Sequence, residues 1–121
     1  MISISVYDMH GDGIQFNLPF LNIYHTGVIV KGIEYGFGGG ASSGTGVWEQ
    51  FPGRPPPNCT FKEKIDIGES KKSEKEISQI IKTLKEEYQA NKYDLAGNNC
   101  NHFSNEACMR LCGKPIPSSI N

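Results

Sequence analysis

The chain opens on a period-two pattern. Ile2, Ile4 and Val6 alternate with Ser3, Ser5 and Tyr7, which predicts a half-buried strand over residues 2–8. Gly11-Asp12-Gly13 breaks that pattern into a loop that runs through Pro19. Residues 23–30 are rich in β-branched side chains and predict a second strand, which carries His25. Lys31-Gly32 predicts a tight turn into a third strand over residues 33–37, making a hairpin. Residues 38–46, mostly glycine and serine, predict a flexible stretch, and residues 47–51 a short strand. The prolines of residues 52–57 make a stiff connector that cannot lie inside a sheet. Alternation returns over residues 59–67.

From Ser73 the period changes. Ser73 and Glu76 have capping-box spacing. Ile77, Ile80, Ile81, Leu84 and Tyr88 then fall on one helical face, with lysines and glutamates on the other. Residues 91–99 predict a turn-rich linker. A second helix is predicted from Cys100 to Gly113, with Asn98 or Asn99 as its N-cap, and Pro115 and Pro117 bar its continuation. Strands followed by helices, without repeats, predict one α+β domain spanning residues 1–121.

Composition narrows the function classes. Twelve basic and thirteen acidic residues give a net charge of -1 with no basic run, which argues against nucleic acid and against an anionic membrane surface as partners. No apolar stretch approaches the roughly 20 residues that span a bilayer. The first residues lack the charged and apolar regions of a signal peptide. Four cysteines in that setting predict free thiols in a reducing compartment, the cytosol or nucleus.

Candidate chemistry concentrates at Gly97-Asn98-Asn99-Cys100-Asn101-His102-Phe103. A cysteine at a helix N-terminus meets the positive end of the dipole and unpaired N–H groups, which favour a thiolate and could bind an oxyanion. Such a sulfur needs an imidazole partner. His25 suits best, since a strand fixes its direction; His102 points elsewhere on the helix, and His10 falls in the predicted loop. On these grounds alone, a small buried cysteine and a structural strand histidine are the more natural reading.

A resemblance decides between them. Asn98-Asn99-Cys100-Asn101-His102-Phe103-Ser104-Asn105 resembles the N-C-N-x-F-S block of the PPPDE (DeSI) thiol peptidases. Tyr24-His25-Thr26, Glu34-Tyr35-Gly36-Phe37-Gly38-Gly39, Gly46-Val47-Trp48-Glu49-Gln50-Phe51-Pro52-Gly53 and Leu111-Cys112-Gly113-Lys114-Pro115 follow that family in order. The resemblance implies a circularly permuted papain-like fold, a small antiparallel sheet or barrel packed with helices. It implies Cys100 as nucleophile and His25 as base and later acid, with no cofactor or metal. The implied substrates are conjugates of ubiquitin or of a ubiquitin-like modifier such as SUMO; the family analogy also allows a homodimer. Tyr7, Asp8 and Asn98 are candidates to orient His25 or to donate to an oxyanion.

Two alternatives share the chain. One is a thioesterase that removes fatty acyl groups from protein cysteines with the same dyad. The other is a silent module that binds ubiquitin-like proteins, which the presence of both dyad residues disfavours. The glycines between Gly36 and Gly46 lack the Lys-Ser/Thr ending of a phosphate loop. They would instead let a substrate backbone approach a groove, or form a plain surface loop. Cys100, Cys108 and Cys112 cannot share a zinc ion, because on one helix they spread over about 18 Å. Trp48 and Phe51 either flank the groove or close the core, and the core is the preferred expectation.

Overall fold

The computed structural model describes residues 1–9, 23–39, 43–95 and 97–120; the predicted loop with His10 and Gly11 to Pro19 lies outside them. Five strands run in chain order: β1 (Ile2–Met9), β2 (Tyr24–Val30), β3 (Ile33–Phe37), β4 (Val47–Gln50) and β5 (Cys59–Gly68). Two helices follow, α1 (Glu74–Glu87) and α2 (Cys100–Cys112), with 3-10 turns at Ala90–Lys92 and Ser118–Ile120. The strands form one antiparallel sheet in the order β4-β3-β2-β1-β5. This is the expected α+β class. The sheet stays open, so the barrel form of that expectation is set aside. No helix among the described residues is long and apolar enough to cross a membrane.

The hairpin between β2 and β3 closes where the sequence predicted it. Val30 pairs with Ile33, and both turn residues are left-handed, Lys31 at φ 51° and Gly32 at φ 78°. Two positive φ values match the twist of the flanking strands. α1 carries the predicted capping box: Ser73 Oγ accepts from Glu76 N (3.2 Å) and Glu76 Oε1 from Ser73 N (2.9 Å).

Successive residues of a strand point to opposite faces, and each face of this sheet has its own cover. On one face Ile4, Val6, Val28, Val30, Phe37 and Val47 meet Leu84 of α1 and Phe103, Ala107 and Leu111 of α2 in the hydrophobic core. On the other face Ser3, Ser5 and Tyr7 of β1 are buried too. The prediction of a half-buried strand is therefore corrected. Ser3 Oγ donates to Asp66 Oδ1 of β5 (2.7 Å), while Ser5 and Tyr7 donate to Glu34 of β3. Polar alternation here marks a buried hydrogen-bonded face rather than a wet one.

Glu34 is 1% exposed. Its carboxylate accepts from Ser5 Oγ, Tyr7 OH (2.7 Å), Gln50 Nε2 (2.9 Å) and the Gly53 backbone N–H (3.0 Å). None of these four donors carries a charge, yet together they match the lone pairs of a buried carboxylate. The Gly53 bond draws the proline-rich connector down onto this face. Gly27 lies directly beneath, where an added Cβ would stand 2.4 Å from Glu34 Oε2.

The segment predicted to be flexible is stitched down in its described part. Gly46 N donates to Tyr88 O (2.8 Å), Ala90 N to Gly44 O (2.9 Å) and Gly38 N to Gly46 O (3.0 Å). These bonds tie the start of β4 to the end of α1.

Candidate active site

α2 begins at Cys100 because Asn99 caps it. Asn99 Oδ1 accepts from the N–H groups of Asn101 (2.9 Å) and His102 (3.1 Å), and His102 Nδ1 accepts from Asn99 N (3.1 Å). His102 is thus the reciprocal member of a capping box. Asn98, the other cap candidate, instead pairs its backbone with Asp94 and donates its side chain to Lys92 O (2.9 Å).

The β2–β3 ladder covers only Val28–Val30. From Gly27 back to Tyr24 the edge of β2 is met by the first turn of α2. Asn101 Nδ2 donates to Tyr24 O (3.0 Å), and Thr26 Oγ1 donates to Asn101 Oδ1 (2.7 Å) and shares a 2.7 Å bond with Ser104 Oγ. The Thr26 backbone N–H hydrogen-bonds the Cys100 sulfur. A strand's N–H lies in the plane of its sheet, so the sulfur sits at strand level, in the gap where β3 has parted from β2. Asn101 and Thr26 together clamp the helix to the residues on either side of His25.

His25 points to the other face, opposite Tyr7 in the register. Trp48 of β4 stacks on it with ring centroids 5.6 Å apart and planes 6° apart; Tyr7 lies at the same separation, tilted by 35°. The Trp48 indole N–H donates to Gln50 Oε1 (2.9 Å), and Gln50 donates to Glu34. The imidazole is therefore held by a chain that runs back to the buried carboxylate. His25 is 6% exposed, and its Nε2 has no hydrogen-bond partner among the described residues.

Four N–H and O–H groups face the Cys100 sulfur: the Thr26 N–H, the Tyr93 hydroxyl, the Asn101 N–H shared with Asn99 Oδ1, and the Cys100 N–H shared with the Tyr93 oxygen. The expected thiolate-favouring setting is there, but depth outweighs it. Burial pushes the thiol above its ordinary value, and the four donors only oppose that rise. In the resting state the thiol can donate to Asn101 Oδ1 (3.8 Å). Burial likewise lowers His25 to about 4. A neutral thiol and a neutral imidazole follow at pH 7, an arrangement suited to proton transfer during attack rather than to a standing ion pair.

The comparisons with known proteins agree along the chain. The profile described as "PPPDE putative peptidase domain" matches residues 1–121. The chain belongs to the PPPDE peptidase family. Among relatives, the desumoylating isopeptidase 1 homolog of Caenorhabditis elegans is 36% identical over 124 residues, covering 100% of this chain and 37% of that protein. DeSI-like protein sdu1 of Schizosaccharomyces pombe is also 36% identical, over 99% of this chain and 62% of its own length. Desumoylating isopeptidase 1 of Homo sapiens is 32% identical over 81% of this chain and 55% of its own length. The chain thus spans roughly one to two thirds of these PPPDE relatives.

Within this PPPDE domain the two predicted site residues lie along the same stretch of β2: Cys100 meets its edge at Thr26, and His25, one residue earlier, lies beneath Trp48. Among the secondary candidates, Tyr7 packs beside His25 but donates its hydroxyl hydrogen bond to Glu34. Tyr93 was not singled out from sequence, although it is the aromatic residue just before the turn that leads into Cys100. The core assignment of Trp48 and Phe51 is corrected: Trp48 covers His25, and Phe51 is 78% exposed. Among the described residues no three His, Cys, Asp or Glu side chains gather to hold a metal.

Two predictions arise here. An added Cβ at Gly36 would stand 2.7 Å from Trp48 Cζ2, so Gly36→Ala should lift the indole off His25. The expected result is a red-shifted emission from the single tryptophan and a loss of about 1–3 kcal/mol. Unchanged emission would show that the close approach is not tight. The second concerns pH. Unfolded His25 takes up a proton below 6.5, whereas the folded side chain does so only near 4. Stability is then full above pH 6.5 and falls as the pH drops to about 4, by something on the order of 2–3 kcal/mol. Urea midpoints measured across that range should fall less in His25→Gln than in wild type.

Proposed function

We propose that the protein is a cysteine isopeptidase that releases ubiquitin-like modifiers, SUMO foremost, from their conjugates, with Cys100 as nucleophile and His25 as its proton carrier. One observation carries this reading: a buried thiol ringed by donors is clamped to the strand of a histidine whose Nε2 has no partner. The relatives, named as desumoylating isopeptidases, supply the substrate class.

In the reaction, His25 Nε2 takes the thiol proton as sulfur attacks the carbonyl of the modifier's terminal residue. The C–N bond then breaks, His25 returns the proton to the departing lysine amine, and a thioester remains on Cys100. Water, deprotonated by His25, attacks that thioester and frees the modifier's carboxylate. Depth helps here, because a dry site strengthens each hydrogen bond to developing charge.

The test uses SUMO and ubiquitin bearing a C-terminal electrophile, with adducts read by mass spectrometry. Wild type should be labelled at Cys100, and Cys100→Ser should not. If neither modifier labels wild type while a fatty-acyl thioester is turned over, the isopeptidase reading fails in favour of the thioesterase.

A further inference from the structure

Tyr93 closes the 3-10 turn after α1, its N–H donating to Ala90 O (3.4 Å). From there the chain doubles back within a few residues. Asp94 and Asn98 exchange two backbone hydrogen bonds (3.0 and 2.9 Å), and Asn99 Nδ2 donates to Leu95 O (2.9 Å). This small closed loop brings Tyr93 to Cys100. The ring is wedged in place: Phe37 lies 5.1 Å away between centroids, and an added Cβ at Gly39 would stand 3.0 Å from Tyr93 Cβ. Its hydroxyl bonds the Cys100 sulfur and also accepts the Cys100 backbone N–H.

We propose that Tyr93 is a catalytic residue, its phenolic O–H forming with the Cys100 N–H the donor pair that receives the carbonyl oxygen when sulfur attacks. This rests on the reading of Cys100 as nucleophile given above. As the S–C bond forms, the carbonyl π pair moves onto oxygen and the thiol proton passes to His25. Once bonded to carbon, the sulfur is a poorer acceptor and releases its donors. The oxyanion is attached to the carbon that sulfur has just bonded, so the hydroxyl reaches it by turning about its own C–O bond. The Cys100 N–H keeps the phenol oxygen as one acceptor and shares its hydrogen with the same oxyanion. When the intermediate collapses, the pair returns to carbon and the leaving group departs; Tyr93 keeps its proton throughout. Burial raises that phenol to about 12, so it stays a donor across the working range.

The test separates oxyanion binding from simple support of the sulfur. Acylation of Cys100 by p-nitrophenyl acetate passes through an oxyanion, whereas alkylation by iodoacetamide does not. Both rates are read by mass spectrometry at Cys100 in wild type and in Tyr93→Phe, which keeps the wedged ring. Acylation should slow about 100-fold more than alkylation. Equal slowing, or none, overturns the proposal. Each comparison is a ratio within one protein, so a smaller folded fraction cancels. If wild type is acylated but takes neither SUMO nor ubiquitin probe, the substrate reading fails and the Tyr93 assignment stands. If wild-type Cys100 is not acylated at all, both fall.

Discussion

His25→Ala is expected to lower kcat/KM on a SUMO or ubiquitin C-terminal amide by about 1,000-fold or more. The reason lies in the resting charge state. Burial holds the thiol above and the imidazole below their ordinary values, so no pre-formed thiolate survives loss of the base. A surface thiolate stabilised by its helix alone would lose far less. Iodoacetamide reactivity of Cys100 at pH 7 should fall alongside turnover, and raising the pH should recover much of it. Full reactivity of Cys100 in His25→Ala at pH 7 would sink the general-base account.

Glu34→Ala is expected to have the largest effect on stability, a loss of about 3 kcal/mol or more. The substitution strands the Ser5 and Tyr7 hydroxyls and the Gly53 N–H at once, and leaves the Gln50 amide with the Arg54 carbonyl (2.7 Å) in place of the carboxylate. Glu34→Gln tests the mechanism more sharply. It keeps the volume but turns one acceptor into an NH2 group that faces donors, so it too should lower the urea midpoint. Activity should fall in both variants, because Gln50 holds the indole that lies over His25. A Glu34→Gln protein as stable as wild type would mean that the four bonds contribute little.

The elements were largely legible in the sequence because they rest on local chemistry. The Lys31-Gly32 turn, the Ser73/Glu76 box, the Asn99 cap and the Gly113 end of α2, at φ 73°, each depend on residues only a few positions apart. What stayed hidden depends on distant pairings. Ser3 and Ser5 read as solvent-facing because nothing nearby announces that Asp66 and Glu34 will meet them. Trp48 read as core because the glycines that let it lie flat, Gly36 in β3 and Gly38 just past its end, come from a separate stretch of chain. The thiol's setting was visible as a helix start, yet its depth was not, and depth reverses the direction of its shift. Tyr93 gave a faint signal, an aromatic ring at the mouth of a polar turn, that only the closed loop from Asp94 to Asn98 turns into a contact.

The gap between β2 and β3 has one further consequence. Its closure depends on contacts between residues 75 and 78 positions apart, Thr26 with Asn101 and Ser104, and such distant closures come late and slowly in folding. A chain with its hairpin and α1 already formed would still lack an assembled sulfur site. Once closed, the same contacts cross the domain, so opening the site means prising α2 from the sheet. Enzyme activity on heating should therefore track global melting, with no earlier phase of inactivation in a still-folded protein.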